Sequence, residues 1–181
     1  GKVNKEGNIT VSANLLAQIV SNLSGERVEL FVDGSNLNIT TESYKANLQG
    51  TPADEFPILP TIENVAEYIE LDSLLLKESL ETTLSAAQMS ELRPELSSVY
   101  FQFFGDRIVL VATDSFRLAE KTLVNKEFEA TTSVEFKVLL PLRTAQELAR
   151  ILKTKGPIKI YRDQSQMLFR TERIDLISRL I

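Results

Sequence analysis

Apolar residues recur along this chain with two periods, one helical and one of strands. Leu16, Ile19, Val20 and Leu23 fall at i, i+3, i+4 and i+7, the buried stripe of an amphipathic helix. Ser12 is placed to cap that helix, and Ser24-Gly25 to stop it after about Leu23. Its opposite face carries Asn14, Gln18 and Ser21, polar but uncharged. Upstream, Gly1 to Gly7 is polar and Asn8 to Val11 predicts a short strand. Downstream, Val28 to Val32 predicts a strand, Asp33-Gly34-Ser35-Asn36 a hairpin turn and Leu37 to Thr40 its return. Tyr44 to Leu48 alternates as another strand. Pro52 to Pro60 holds three prolines in nine residues and reads as an irregular linker.

The pattern then starts again. Val65 to Leu71 predicts a strand, and Asp72 or Ser73 caps a helix reaching about Ala87. After a polar loop, Gln88 to Pro94, strands are expected at Ser98 to Phe103 and Ile108 to Ala112, around the turn Phe104-Gly105-Asp106. Phe116 to Leu123 and Val134 to Leu140 follow as strands. Pro141 suits a helix start, where its missing N–H costs nothing, and that helix runs from Arg143 to about Leu152. Ile158 to Tyr161, Met167 to Phe169 and Ile174 to Ile177 complete the strands.

Overlaying these segments exposes an internal repeat. The stripe Leu16, Ile19, Val20, Leu23 recurs as Ala145, Leu148, Ala149, Leu152, and Leu37, Ile39, Tyr44, Ala46 recur as Met167, Phe169, Ile174, Leu176. Ile69 to Phe116 repeats the same order of elements. Three copies of a strand-helix-three-strand unit give an α+β fold, with helices on one face of antiparallel sheets. One helix is too little to cover a sheet, so copies must pair. Copies two and three form a complete domain on this reading, and copy one is left without its partner.

Composition narrows the chemistry. With 181 residues, 43% of them hydrophobic and 25% charged, the chain can bury a real core. It has no cysteine, which removes disulfides and thiolate metal sites, and no histidine, the usual general base and commonest metal ligand. No apolar run approaches the roughly 18 residues of a membrane span and no signal peptide opens the chain, so a cytoplasmic location is expected. Asp54-Glu55 and Glu67 to Glu70 lie in a linker or on an alternating strand, where carboxylates are usually solvated surface. There is no phosphate-cradling glycine loop and no nucleophile with a base partner, so we expect no enzyme activity and no cofactor. A net charge of −5 argues against a nucleic-acid binder unless the charges are segregated.

The stretch from Val109 to Ala119 carries the most specific signal. Ile108 to Ala112 is an apolar run, and Thr113-Asp114-Ser115 breaks it with three side chains that bond nearby backbone. From the residues alone this is a strand, a turn and a return strand, with Phe116 and Leu118 in the core. Its words, Ala112-Thr113-Asp114-Ser115-Phe116-Arg117-Leu118-Ala119, resemble the ATDGHRLA or ATDSHRLA element of the bacterial DNA polymerase III β subunit family, the sliding clamps. Pro52-Ala53-Asp54-Glu55-Phe56-Pro57-Ile58-Leu59-Pro60 resembles that family's PA(D/E)(D/E)FP-x-LP segment, in the same order and at about the same separation. The resemblance covers essentially the whole chain, as a piece of a three-domain protein. It implies that residues 1–60 are the C-terminal half of clamp domain 1 with its linker, and that residues 61–181 are domain 2. Domain 3 is absent from this stretch.

The resemblance also implies a function. Clamps encircle duplex DNA without reading its sequence and tether replicative polymerase, clamp loader and repair proteins, whose short apolar-ended peptides enter a hydrophobic cleft. Leu96, Thr113, Ser115, Phe116, Arg117 and Leu118 match cleft positions, with Leu96 and Leu118 offering apolar area and the Arg117 stem a floor. Phe116 stands where histidine is common. The whole protein is implied to be a homodimeric ring, with no membrane partner.

Clamp helices line the central hole. With Arg143 at zero on a helical wheel, Arg150 falls about 20° away and Ala145, Leu148, Ala149 and Leu152 cluster roughly opposite, with Lys153 at the helix end. Glu147 lies between the arginines in projection, which permits a plain solvated face. The resemblance instead makes Arg143, Arg150 and Lys153 DNA-facing. Lys77 joins them on the second helix, although Glu81, one turn on, can pair with it. The first helix departs from the family by offering uncharged residues. We therefore expect weak DNA binding from this stretch. The alternative is a stand-alone protein-interaction domain with no DNA role.

Overall fold

The computed structural model describes residues 2–24, 27–57, 61–90 and 92–181. The chain divides into two compact units, Gly1–Leu59 and Pro60–Ile181. Unit 1 holds helix α1 (Ala13–Ser21) and a three-stranded antiparallel sheet, β1 (Glu29–Asp33), β2 (Asn36–Thr40) and β3 (Lys45–Gln49). The β1–β2 hairpin closes on Gly34, whose φ of +57° is costly for a residue with a Cβ. Leu37, Ile39 and Leu48 form its small core, with Ile9, Leu16, Ile19 and Leu23 packed against it.

Unit 2 is built from two sheets and two helices around a main core, with a smaller cluster of Ile62, Tyr161 and Leu168 beside it. Its elements are β4 (Ile69–Asp72), α2 (Ser73–Leu84), β5 (Ser98–Phe103), β6 (Arg107–Thr113), β7 (Leu118–Val124), β8 (Phe128–Ala130), β9 (Phe136–Pro141), α3 (Leu142–Ile151), β10 (Pro157–Arg162), β11 (Gln166–Arg170) and β12 (Asp175–Arg179). One sheet runs β12-β11-β10-β4-β8 and the other β7-β6-β5-β9, all antiparallel. The leading strand of each copy is thus exchanged: β4 pairs with β10 of the following copy, and β9 pairs with β5 of the preceding one. Helices α2 and α3 lie side by side. Their inward faces, Leu76, Leu80, Ala145 and Leu148, are buried with Phe101, Phe103, Ile158 and Phe169 from the two sheets. Asp72 accepts a hydrogen bond from the Leu74 amide at 2.9 Å and so caps α2.

The repeat holds at the level of single hydrogen bonds. In unit 1 the Thr41 amide donates to Tyr44 O and the Gly50 amide to Ser35 O; 130 residues on, Thr171 donates to Ile174 O and Leu180 to Ser165 O, each at 2.8 Å. Register agrees, since Leu30↔Ile39 and Ile39↔Ala46 become Ile160↔Phe169 and Phe169↔Leu176.

Several expected elements differ. Asn8 to Val11 makes only an isolated bridge, Thr10 with Thr51. Helix α1 ends at Ser21, because the Ser21 hydroxyl and the Asn22 side-chain amide both donate to the Gln18 carbonyl and compete with the next helical turn. Ser12 sits at the N-cap but makes no side-chain bond, and Val20 is exposed rather than part of the buried stripe. The proposed stop at Gly25 lies outside the described residues, as does 58–60 of the proline-rich stretch, in which Ala53–Glu55 forms a single 3-10 turn. Strand β4 begins at Ile69, not Val65: Asn64 caps the Ala66 amide and the Thr131 hydroxyl takes the Tyr68 amide, bending the chain away. Helix α2 stops at Leu84, short of Ala87. β8 is three residues long, too short to show a period, and was not expected.

Candidate functional site

The turn between β6 and β7 is organised by one carboxylate. Asp114 Oδ1 accepts from the amides of Phe116 (2.9 Å) and Arg117 (2.7 Å), and Oδ2 accepts from Arg117 Nε (3.0 Å) and Nη2 (2.8 Å). The Thr113 hydroxyl donates to Arg117 O at 2.6 Å and accepts from the Ser115 amide. These side-chain bonds consume the amides that a strand would use, so β7 begins at Leu118 rather than Phe116. Ser115 takes φ +74°, a conformation rare for residues other than glycine, asparagine and aspartate. The guanidinium beside Asp114 and the two amides hold its carboxyl down at about 2.

This framework sends Phe116 and Leu118 outward. Phe116 is 94% exposed and Leu118 is also exposed, which corrects the reading of both as core. The Arg117 guanidinium is turned onto Asp114 with most of its side chain in solvent, so here the guanidinium braces the turn. Leu96 is half-buried in the 3-10 turn Pro94–Leu96, just before β5. Because β5 and β6 are antiparallel neighbours, that turn lies at the same end of the sheet as Thr113. Lys121 on β7 pairs with Glu78 on α2 at 3.3 Å, tying the strand after the corner to the helix. The organising role of Asp114 was readable only as an Asp-x-x-Arg spacing.

On α3 the expected division of faces is present: Ala145, Leu148, Ala149 and Leu152 are buried, whereas Arg143, Arg150 and Lys153 are exposed. Their charges are not equivalent. Arg150 Nε donates to Glu147 at 2.8 Å, which holds the Glu147 carboxyl below the usual range. Lys77 lies 3.7 Å from Glu81. Arg143 and Lys153 form no ion pair among the described residues. Among the described residues there is also no cluster of acidic residues able to hold a metal ion, and no helix is long and apolar enough to cross a membrane.

Comparison with known proteins places this geometry. Residues 70–181 match the family model of the DNA polymerase III beta subunit central domain, and residues 2–60 that of its N-terminal domain. The chain is 35% identical to the beta sliding clamp of Synechocystis over 85% of its own length and 43% of that relative's. It is 32% identical to that of Bacillus subtilis, over 99% and 47%. The chain thus spans less than half the length of the curated relatives it matches. Among solved structures, the DNA polymerase sliding clamp of Bacillus subtilis superimposes with a TM-score of 0.85 at 29% identity, covering 100% of this chain and 49% of that one. A Helicobacter pylori beta clamp bound to a DNA ligase peptide shares the fold, with a TM-score of 0.87 at 22% identity over 99% and 50%. By the family models that match its two segments and by these relatives, the chain belongs to the DNA polymerase III beta subunit family, the beta sliding clamps.

Proposed function

We propose that this chain is part of a processivity clamp. In the whole protein it encircles duplex DNA as a homodimeric ring and tethers the replicative polymerase, clamp loader and repair proteins. On this reading residues 1–60 supply half of one clamp domain and 61–181 a complete one. Retention on DNA is topological, and the protein acts as a tether without catalysis. Leu96, Thr113, Ser115, Phe116, Arg117 and Leu118 form the chain's share of a peptide-binding cleft. Arg143, Arg150, Lys153 and Lys77 face DNA.

The observation that carries this reading is the Asp114-braced corner, which holds two large apolar side chains in solvent on a fixed turn. A rigid exposed apolar corner is costly unless a partner covers it. The Helicobacter pylori clamp of the same fold, with its ligase peptide, supports a peptide as that partner. Fluorescence anisotropy with a short peptide ending in bulky apolar residues tests it. Binding should be saturable, and Leu118→Ala should raise Kd at least about fivefold without loss of fold. Binding unchanged by both Leu118→Ala and Phe116→Ala would contradict the proposal.

A second reading, a protein-interaction domain with no DNA role, draws on the pairing of Arg150 and Lys77 with Glu147 and Glu81. Under it, Arg143→Ala leaves the chain's weak association with duplex DNA at low salt unchanged. Under the clamp reading that substitution weakens it.

A further inference from the structure

The charges of this acidic chain are segregated. From Leu148 to Arg162 there are five cations, Arg150, Lys153, Lys155, Lys159 and Arg162, and no carboxylate. Three of the five are already engaged. Arg150 pairs with Glu147, and Lys159 lies 3.5 Å from Glu70 and 4.3 Å from the centre of the Tyr68 ring. The Arg162 guanidinium sits 4.7 Å over the Phe136 ring. Lys153 and Lys155 are exposed and form no ion pair among the described residues. Asp72, opposite Pro157 in the sheet, spends its carboxylate on the Leu74 amide.

The loop that carries these two lysines is fixed by α2. Ser73, the buried first residue of that helix, donates its hydroxyl to Thr154 O at 2.6 Å and its amide to Gly156 O at 2.8 Å. Two residues span at most about 7 Å of chain. The ammonium groups of Lys153 and Lys155, each on a flexible four-carbon stem, therefore reach a common point. At its other end α3 begins beside the peptide corner, where the Leu142 amide donates to Ser97 O at 2.9 Å, one residue past Leu96. The lysine loop thus stands about 15 Å along the helix from that corner.

We propose that Lys153 and Lys155 act as one redundant phosphate contact at the end of α3, each able to hold the phosphate when the other does not. This rests on the clamp reading above and brings Lys155 to the DNA as an alternate for Lys153, not as a further contact. Successive phosphates of one strand lie about 3.4 Å apart along the duplex axis, well within the span of the two lysines. One lysine takes hold as the other lets go, so the contact persists while the chain slides. Because Ser73 has already ordered the backbone, only side-chain freedom is lost on contact.

Fluorescence anisotropy with a short duplex across a range of low salt concentrations tests this through the slope of log K against log salt. The variants are Lys153→Ala, Lys155→Ala, the two together, and Arg143→Ala. Lys137→Ala is the control: Lys137 is exposed on β9 opposite Gln102, which alternates with the core residues Phe101 and Phe103 and so faces away from the helices. Each single lysine variant of the loop should keep the parent slope, and the double variant should be shallower by about one. The control should match the parent. A double variant with the parent slope, a loss of about one in Lys153→Ala or Lys155→Ala alone, or an equal loss in Lys137→Ala would overturn the proposal. Arg143→Ala separates the two readings. If it is shallower by about one while the double variant is not, only the redundant contact fails; if every variant keeps the parent slope, the clamp reading fails with it.

Discussion

At the scale of single residues, Asp114 decides what the corner presents. Its carboxylate accepts four hydrogen bonds from two successive residues and is nearly buried, so the turn is fixed by charge-assisted bonds. Its pKa lies below the ordinary value of 3.8, at about 2. A carboxyl more acidic folded than unfolded adds stability that is complete above the unfolded value and disappears as pH falls through the folded one. The melting temperature of Asp114→Asn should therefore lie below that of the parent at neutral pH, with the gap closing between about pH 4 and 2. A gap that stays constant across that range would contradict the assignment. The corner was legible as a turn from Thr113-Asp114-Ser115, whose side chains bond backbone. The outward course of Phe116 and Leu118 was not. Alternation alone makes them core, and only the capture of two amides by Asp114 delays the strand and turns them out.

At the scale of elements, α3 divides into a buried apolar face and an exposed face carrying Arg143 and Arg150. Leu148 is fully buried in the main core of unit 2, so Leu148→Ala should cost about 2–5 kcal/mol in urea denaturation. Arg143 is exposed and unpaired among the described residues, so Arg143→Ala should stay within about 0.5 kcal/mol of the parent. The same experiment thus places the two faces independently of any ligand. This helix was readable because Ala145, Leu148, Ala149 and Leu152 keep strict helical spacing. The matching stripe of α1 was only partly right. Val20 has the correct spacing, but a lone three-stranded sheet covers Leu16, Ile19 and Leu23 and leaves Val20 in solvent. Spacing says which residues share a face; how much of that face is covered depends on what packs there. Glycine shows the converse. A Cβ on Gly50 would collide with the Thr10 carbonyl oxygen, a close approach that no local pattern reveals.

At the scale of the whole molecule, three copies of one unit explain the architecture, and on the proposed clamp reading charge placement sets the strength of DNA contact. The chain is acidic overall, at −5, and ion pairs occupy two of the four candidate cations. With Arg143 and Lys153 left, the affinity of this 181-residue chain for duplex DNA should be no tighter than roughly 10⁻⁴ M at physiological salt. The slope of log K against log salt should be about −2, from roughly 0.9 per phosphate contacted. Glu147→Gln frees Arg150 and should steepen it by about one. A tight complex at physiological salt would contradict this. The repeat was legible because equivalent apolar positions recur about 130 residues apart, as in Ile39 and Phe169. The exchange of leading strands between copies two and three was not, since long-range pairing leaves no local trace.

The most direct test of the clamp reading is a pair of titrations followed in one amide NMR spectrum, one with an apolar-ended peptide and one with a short duplex at low salt. The account predicts that the peptide shifts the amides of Thr113 to Leu118 and leaves α3 unmoved. It predicts that the duplex shifts the residues around Arg143 and Lys153, and that neither ligand displaces the other. Shifts from the two ligands falling on the same residues, or a peptide response confined to residues outside the β6–β7 corner, would contradict it.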